Sequence, residues 1–290
     1  MNKIALGTVQ FGMDYGISNK RGKIPKDEVF EILNKASENG IDTLDTAYLY
    51  GESETVIGEF IKIYNNKFKL ITKSPNCKVE QIEDLFDVSL KKLNINKIYG
   101  YLIHNFQHYK KDQKIWNILE KLKTENKIQK IGFSLYYPSE LEYLLKKKLE
   151  IDIIQVPYSI FDQRFEPFFK DLQNRNVEIH VRSVFLQGLV FKNPDELDSY
   201  FSKIKEKMLR LNSVSIKHNI PIGALCLDFV ILNDAIDKVV VGVESIENFK
   251  ENISSLNYLT DVGSILHELS LFKEDDENII LPVNWTVKKV

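Results

Sequence analysis

Four side chains able to handle protons stand at similar places in the sequence: Asp45, Tyr50, Lys73 and His104. Each lies at the end of a short apolar run or just beyond it, in "IDTLDTAYLYG", "KLITK" and "IYGYLIH". A lone lysine at such a place is usually a surface charge, and a lone histidine usually a satisfied core residue. Three consecutive runs carrying an acid, an amine and an imidazole to the same end call for more, because together they can move a proton. A phenol titrates near ~10, too high for easy transfer at neutral pH, and an adjacent ammonium stabilises the phenolate and lowers that value. Lys73 is the ammonium available to Tyr50. A partly desolvated lysine keeps its charge when an opposite carboxylate pairs with it, which gives Asp45 a reason to be there. His104 is then free to hydrogen-bond a substrate oxygen and orient it.

The groups converge only if the runs bearing them are neighbouring strands. Eight such runs recur in order: "KIALGT", "IDTLDT", "KLITK", "IYGYLIH", "KIGFSL", "IDIIQVPY", "EIHVRS" and "KVVVGV". Longer segments of helical periodicity separate most of them. "PKDEVFEILNKASENG" places Pro25 in a first turn and ends at Gly40, a good helix stop. In "QKIWNILEKLKTENK", Ile115, Ile118, Leu119 and Leu122 form one apolar stripe. The lysines of "LLKKKLE" read as a solvated helix face. An open dinucleotide-binding sheet would show GxGxxG after its first strand, and Gly7, Gly12 and Gly16 do not match that spacing. The expected fold is therefore an α/β (β/α)8 TIM barrel, in one domain over residues 1–290, with chemistry where strands run into their following loops. The longest gap, between the seventh and eighth runs, has room for two helices and a loop extension.

Composition narrows the classes further. With 43% hydrophobic and 28% charged residues and a net charge of −2, the chain is ordinary for a globular protein and has no overall pull toward nucleic acid. Cys77 and Cys226 lie far apart and form no CxxC pair, so neither a metal site nor a disulfide framework is expected, and a cytoplasmic location fits. No apolar run approaches the ~20 residues of a membrane span. No coiled-coil heptad or apolar stripe points to an oligomer.

The residues together resemble the aldo-keto reductase family. "LGTVQFG", "DTAYLYGESE", "ITK", "LIHN" and "VGVESIENFKEN" carry the resemblance across nearly the whole chain, and Asp45, Tyr50, Lys73 and His104 match the family's catalytic tetrad in type, order and strand position. The resemblance implies a small-molecule carbonyl substrate, reduced to the alcohol by a nicotinamide cofactor with Tyr50 as general acid. It implies NADP(H) as cofactor by family habit, with NAD(H) as the alternative.

Cofactor contacts carry over at matching positions. Ser134 and Gln155 match residues that hydrogen-bond the nicotinamide carboxamide; Thr8 and Val9 fall where the first loop meets a ribose; and "SVFLQG", with Ser183, Phe185, Gln187 and Gly188, matches a pyrophosphate loop. Glu251 and Asn252 match adenine contacts. Three positions depart from the family pattern. Leu135 replaces an asparagine, and Arg182 stands where an aromatic ring commonly lies under the nicotinamide, a place where a planar guanidinium can also stack. The cations usual for a 2′-phosphate fall on Gly242 and Asn248, with Glu244 nearby. Phe11, Tyr15, Tyr48, Phe106 and Tyr136 are the candidates for lining the substrate pocket, and rings with phenolic hydroxyls suit sugars as well as apolar aldehydes. "RSVFLQGLV" resembles a branch linked to surface-polysaccharide and sugar metabolism. Two other readings stand beside the reductase: a cofactor-binding regulatory or redox-sensing subunit with little turnover, and a barrel enzyme using Lys73 as a Schiff-base amine. Asp45 weighs against the last, since a paired ammonium is a poor nucleophile.

Overall fold

All eight apolar runs are strands: β1 (Ile4–Gly7), β2 (Thr43–Asp45), β3 (Lys69–Ser74), β4 (Ile98–Ile103), β5 (Ile128–Ser134), β6 (Ile153–Pro157), β7 (Glu178–Arg182) and β8 (Lys238–Gly242). In the computed structural model, which describes residues 2–65 and 67–286, they pair in parallel and in chain order. β8 closes back on β1, with Ile4 opposite Val239 and Gly7 opposite Gly242. The fold is an α/β (β/α)8 TIM barrel. Its strands are short and almost wholly buried because one face of each packs inside the barrel and the other meets helices.

The helices follow the sequence signals closely. In Lys26–Glu38, Val29, Ile32, Leu33 and Ala36 are buried, and Asp27 and Glu28 occupy the first turn, where the helix dipole favours anions. Pro25 is the residue before that turn and not inside it; its extended backbone (φ −60°, ψ 144°) leads into the helix. In Lys114–Thr124 the buried stripe is Ile115, Trp116, Leu119 and Leu122, with Ile118 at its margin. Lys146, Lys147 and Lys148 are exposed. The β7–β8 gap holds two helices, Ser202–His218 and Ile222–Ile231, after three short 3-10 turns. Among the described residues no single helix is long and apolar enough to cross a bilayer; the pair Ser199–His218 and Ile222–Ile231 reaches that composition only together, across a 93° bend.

The barrel carries charged clusters at both ends. At the end where strands begin, Asp42 accepts from Lys238 (2.6 Å) and Thr43 (2.8 Å) and pairs with Lys69 (3.1 Å). Tyr99 donates to Glu178 at 2.9 Å, Lys130 bonds the same carboxylate at 2.8 Å, and both Lys69 and Lys130 lie over the Tyr99 ring. Desolvation pushes the Asp42 carboxyl up, but the bonds from Lys238, Thr43 and Lys69 outweigh it and hold the group at about 2. Ile71, Leu102 and Ile153 fill the barrel interior as a separate small apolar cluster.

Candidate active site

At the other end, the strands deliver their groups as the sequence requires. The register sets Gly7 beside Asp45, Lys73 beside Leu102, and Ser134 beside Gln155, so successive loops face one another around the rim. Asp45 and Lys73 form a buried ion pair, with Lys73 Nζ 2.6 Å from Asp45 Oδ1 and side-chain exposures of 1% and 4%. Lys73 also donates to the Thr46 carbonyl at 2.9 Å, and Gln155 Nε2 donates to Asp45 Oδ2 at 2.7 Å. Both carboxylate oxygens are therefore bonded, which is what a buried charge needs to be tolerated.

Tyr50 lies above this pair. Its ring meets His104 edge-on, with centroids 6.0 Å apart and planes at 83°, and Lys73 Nζ lies 5.2 Å from the Tyr50 ring centroid. Among the described residues no group bonds the Tyr50 hydroxyl. The sequence leads one to expect a phenol lowered by Lys73; the phenol is instead raised, and the cation that opposes the rise is Arg182. Burial pushes the phenol's pKa up, the Asp45 carboxylate pushes it further, and the Arg182 guanidinium opposes them. Tyr50 is thus held as a neutral proton donor. Burial lowers the Lys73 ammonium, against the pull of Asp45. His104 is driven down to about 3 by burial first and then by Lys73 and Arg182, so its ring is neutral at physiological pH. Its Nδ1 is buried with no partner among the described residues.

The loop bearing Tyr50 is fixed by a backbone approach. Gly51 has φ +56°, and a Cβ there would lie 2.4 Å from the Gly12 carbonyl oxygen; a Cβ on Gly12 would lie 1.8 Å from the Tyr50 carbonyl oxygen. Only glycine serves at either place. Thr8, wholly buried, ties the first loop to the second by donating to the Asp45 carbonyl at 2.9 Å.

A cavity of ≈ 470 Å³ opens over these groups. Asp45, Tyr50 and His104 line it, as do the expected residues Thr8, Val9, Ser134, Gln155, Arg182 and Ser183. Phe185, Gln187, Gly188, Gly242, Glu244 and Asn248, with Tyr15 and Tyr136, complete the residues the structure brings together there. Lys73 lies beneath the surface. Arg182 stacks on Tyr136, with Cζ 4.2 Å from the ring centroid, and donates to Leu135 O (3.0 Å) and Ser183 Oγ (3.2 Å). One face of the guanidinium is thus covered by a tyrosine, and Leu135 takes part through its carbonyl.

Five expected residues lie elsewhere. Phe11 is 1% exposed, because the one-turn helix Val9–Gly12 turns it into the core. Phe106 is 5% exposed and packs edge-on against Tyr143. Tyr48 lies under the Lys92 ammonium, 4.4 Å from its ring centroid. Glu251 faces outward on the helix Ile246–Ser255, and Asn252 is buried on that helix; neither lines the cavity. Gln10, Ser18 and Phe191 line it without having been singled out. Phe191 lies one residue beyond the quoted "RSVFLQGLV" stretch, whose apolar character continues into it and was a usable signal; nothing local marks Gln10 or Ser18.

The site and fold together define an oxidoreductase. Residues 3–264 match the model of the aldo/keto reductase family, and the chain belongs to that family. It is similar to the uncharacterized oxidoreductase YqkF of Bacillus subtilis, 25% identical over 89% of this chain and 92% of that one. It is also similar to the NADH-specific methylglyoxal reductase of Escherichia coli, 24% identical over 92% and 93% of the two chains. In fold it resembles the holo form of the aldo-keto reductase AKR11C1 from Bacillus halodurans, with TM-score 0.74 over 96% of this chain and 95% of that one at 22% identity.

Proposed function

We propose that the chain reduces an aldehyde or ketone to the alcohol, with Tyr50 as general acid and a reduced nicotinamide dinucleotide as hydride donor. The observation that carries this reading is the meeting of the neutral Tyr50 phenol and the neutral His104 ring at one cavity wall, above the buried Asp45–Lys73 pair. The residues present fit a dinucleotide. Gln10 Oε1 is buried without a partner, and a Cβ on Gly242 would crowd that amide at 3.2 Å, so the wall keeps both a free acceptor and the room beside it.

When bound, the cofactor supplies a hydride to the carbonyl carbon. The neutral His104 ring and the Tyr50 hydroxyl orient the carbonyl oxygen, and the phenol proton passes to that oxygen as negative charge develops on it. The phenolate left behind is stabilised by the positive charge of Arg182, and the ion pair with Asp45 holds Lys73 in place beneath the ring. Ser134, Gln155 and Arg182, which line the cavity beside Tyr50, would hold the nicotinamide. Gln155 is oriented by Asp45, since its amide nitrogen is already committed there.

Tyr15, Tyr136 and Phe191 leave the pocket aromatic with phenolic edges, which suits small aldehydes and sugar-derived carbonyls. The Escherichia coli relative is named for a small reactive aldehyde, methylglyoxal. The test is loss of reduced-nicotinamide absorbance across a panel of aldehydes, ketones and sugars, with Tyr50→Phe as control. Turnover in the wild type that collapses in the variant supports the reading. Tight nucleotide binding without turnover on any substrate would favour a regulatory subunit instead.

A further inference from the structure

The loops after β1 and β8 build one wall of the cavity, where Gln10, Ser18, Glu244 and Asn248 supply the polar groups and, among the described residues, no lysine or arginine does. Ser18 Oγ donates to Glu244 Oε1 at 2.8 Å, which leaves Glu244 Oε2 for a ligand. Gln10 Oε1 is buried on the same wall without a partner. Arg21 touches this wall from outside the cavity: its guanidinium donates to the Glu244 carbonyl at 3.3 Å but grips Glu28 through two bonds of 2.9 and 2.8 Å. Glu28 in turn accepts from the Ile246 N–H at 3.0 Å, so that ion pair is anchored in place. Among the described residues Arg182 is the only lysine or arginine lining the cavity, and it belongs to the wall made by the loops after β5 and β7.

Ser18 is not free to move off. Gly188 (φ +89°) has Ser18 Oγ where a Cβ would stand, 1.9 Å away. The segment carrying Ser18 is also held by Ile17 N donating to Gln187 O (3.2 Å) and by Gln187 Nε2 donating to Tyr15 Oη (2.9 Å). With the nicotinamide placed beside Tyr50 and His104, the adenosine half of a dinucleotide falls on the wall that remains. Its acceptors suit ribose hydroxyls, whereas a 2′-phosphate would meet the Glu244 carboxylate on a wall that, among the described residues, no lysine or arginine lines.

We propose that Glu244 accepts a hydrogen bond from the unesterified adenosine-ribose hydroxyl and makes the chain select NADH over NADPH, with Ser18 as the residue that positions the carboxylate. This rests on the nicotinamide reading above and replaces the family-habit expectation of NADP(H). The test is the Kd of NADH and of NADPH, from nucleotide fluorescence, for the wild type, Glu244→Gln and Ser18→Ala.

The wild type is expected to bind NADH at least about tenfold tighter than NADPH, a difference of about 1.4 kcal/mol. Glu244→Gln should bring the two within about threefold, mainly by tightening NADPH, because the like-charge repulsion is gone. Ser18→Ala should weaken NADH by a factor of about three and leave NADPH unchanged, the loss of one oriented hydrogen bond. A wild type that binds NADPH as tightly as NADH overturns the selectivity and leaves carbonyl reduction standing. A preference that survives Glu244→Gln overturns the role of Glu244. Binding of neither nucleotide overturns both this proposal and the reading beneath it.

Discussion

The two ends of the barrel are built from the same residue types and do different things. Asp42 and Asp45 are three residues apart, Lys69 and Lys73 are both on β3, and each end has its tyrosine, Tyr99 at one and Tyr50 at the other. At the strand-start end every one of these groups is matched within the protein: Asp42 with Lys238 and Lys69, Tyr99 with Glu178, and Lys130 with Glu178. At the other end the carboxylate and the ammonium are matched, but the Tyr50 hydroxyl and His104 Nδ1 have no partner among the described residues. Charges paired within the protein give stability there, and polar groups left unpaired are available to a ligand here.

The largest expected effect comes from breaking the matched pair at the reactive end. Lys73→Met leaves Asp45 buried with only Gln155, so urea unfolding should show a loss of about 3–5 kcal/mol, and turnover should fall severely as well. The counterpart, Lys238→Met, should cost about 1–3 kcal/mol, because Asp42 keeps Lys69 and Thr43, and should leave kcat/KM within about twofold. Equal losses of activity in both would erase the distinction between the ends.

Tyr50→Phe comes next. It keeps the ring that Lys73 and His104 face and removes the proton, so steady-state assays should find kcat lowered at least ~100-fold while Tm and nucleotide Kd hold. A milder effect is expected on acidification. At Glu178, desolvation is outweighed by His180, Lys130 and Tyr99, which hold the carboxyl at about 2 against an ordinary 4.5. Because the folded value is the lower one, its contribution is complete above the ordinary value and is lost as pH falls toward about 2. Over that window urea midpoints should show roughly 2–3 kcal/mol lost in the wild type and little of it in Glu178→Gln. The smallest effect is a silence: with His104 at about 3, the pH profile of kcat/KM should carry no inflection from that ring above about pH 4.

Much of this architecture was legible in the residues themselves. All eight strands could be found because a TIM-barrel strand is a short buried run between turn signals, and the order of Asp45, Lys73 and His104 along consecutive strands foretold that they would meet. The aromatic residues were harder. Phe11 and Phe106 lie just past strand ends, yet each sits on a short helix whose rotation about its axis decides between core and cavity, and sequence distance does not record that rotation. Pairings across the barrel were invisible for another reason. Gln155 and Asp45 are 110 positions apart, and Ser18 and Glu244 are 226 apart, so only closure of the sheet brings them together.

The contact between Gly12 and Gly51 bears on any attempt to redesign the pocket. Since neither backbone admits even a methyl group, the phenol-bearing turn is a fixed point around which variation must be arranged. Libraries aimed at new substrates belong instead at Phe191 and Tyr15, which line the cavity and are 50% and 37% exposed.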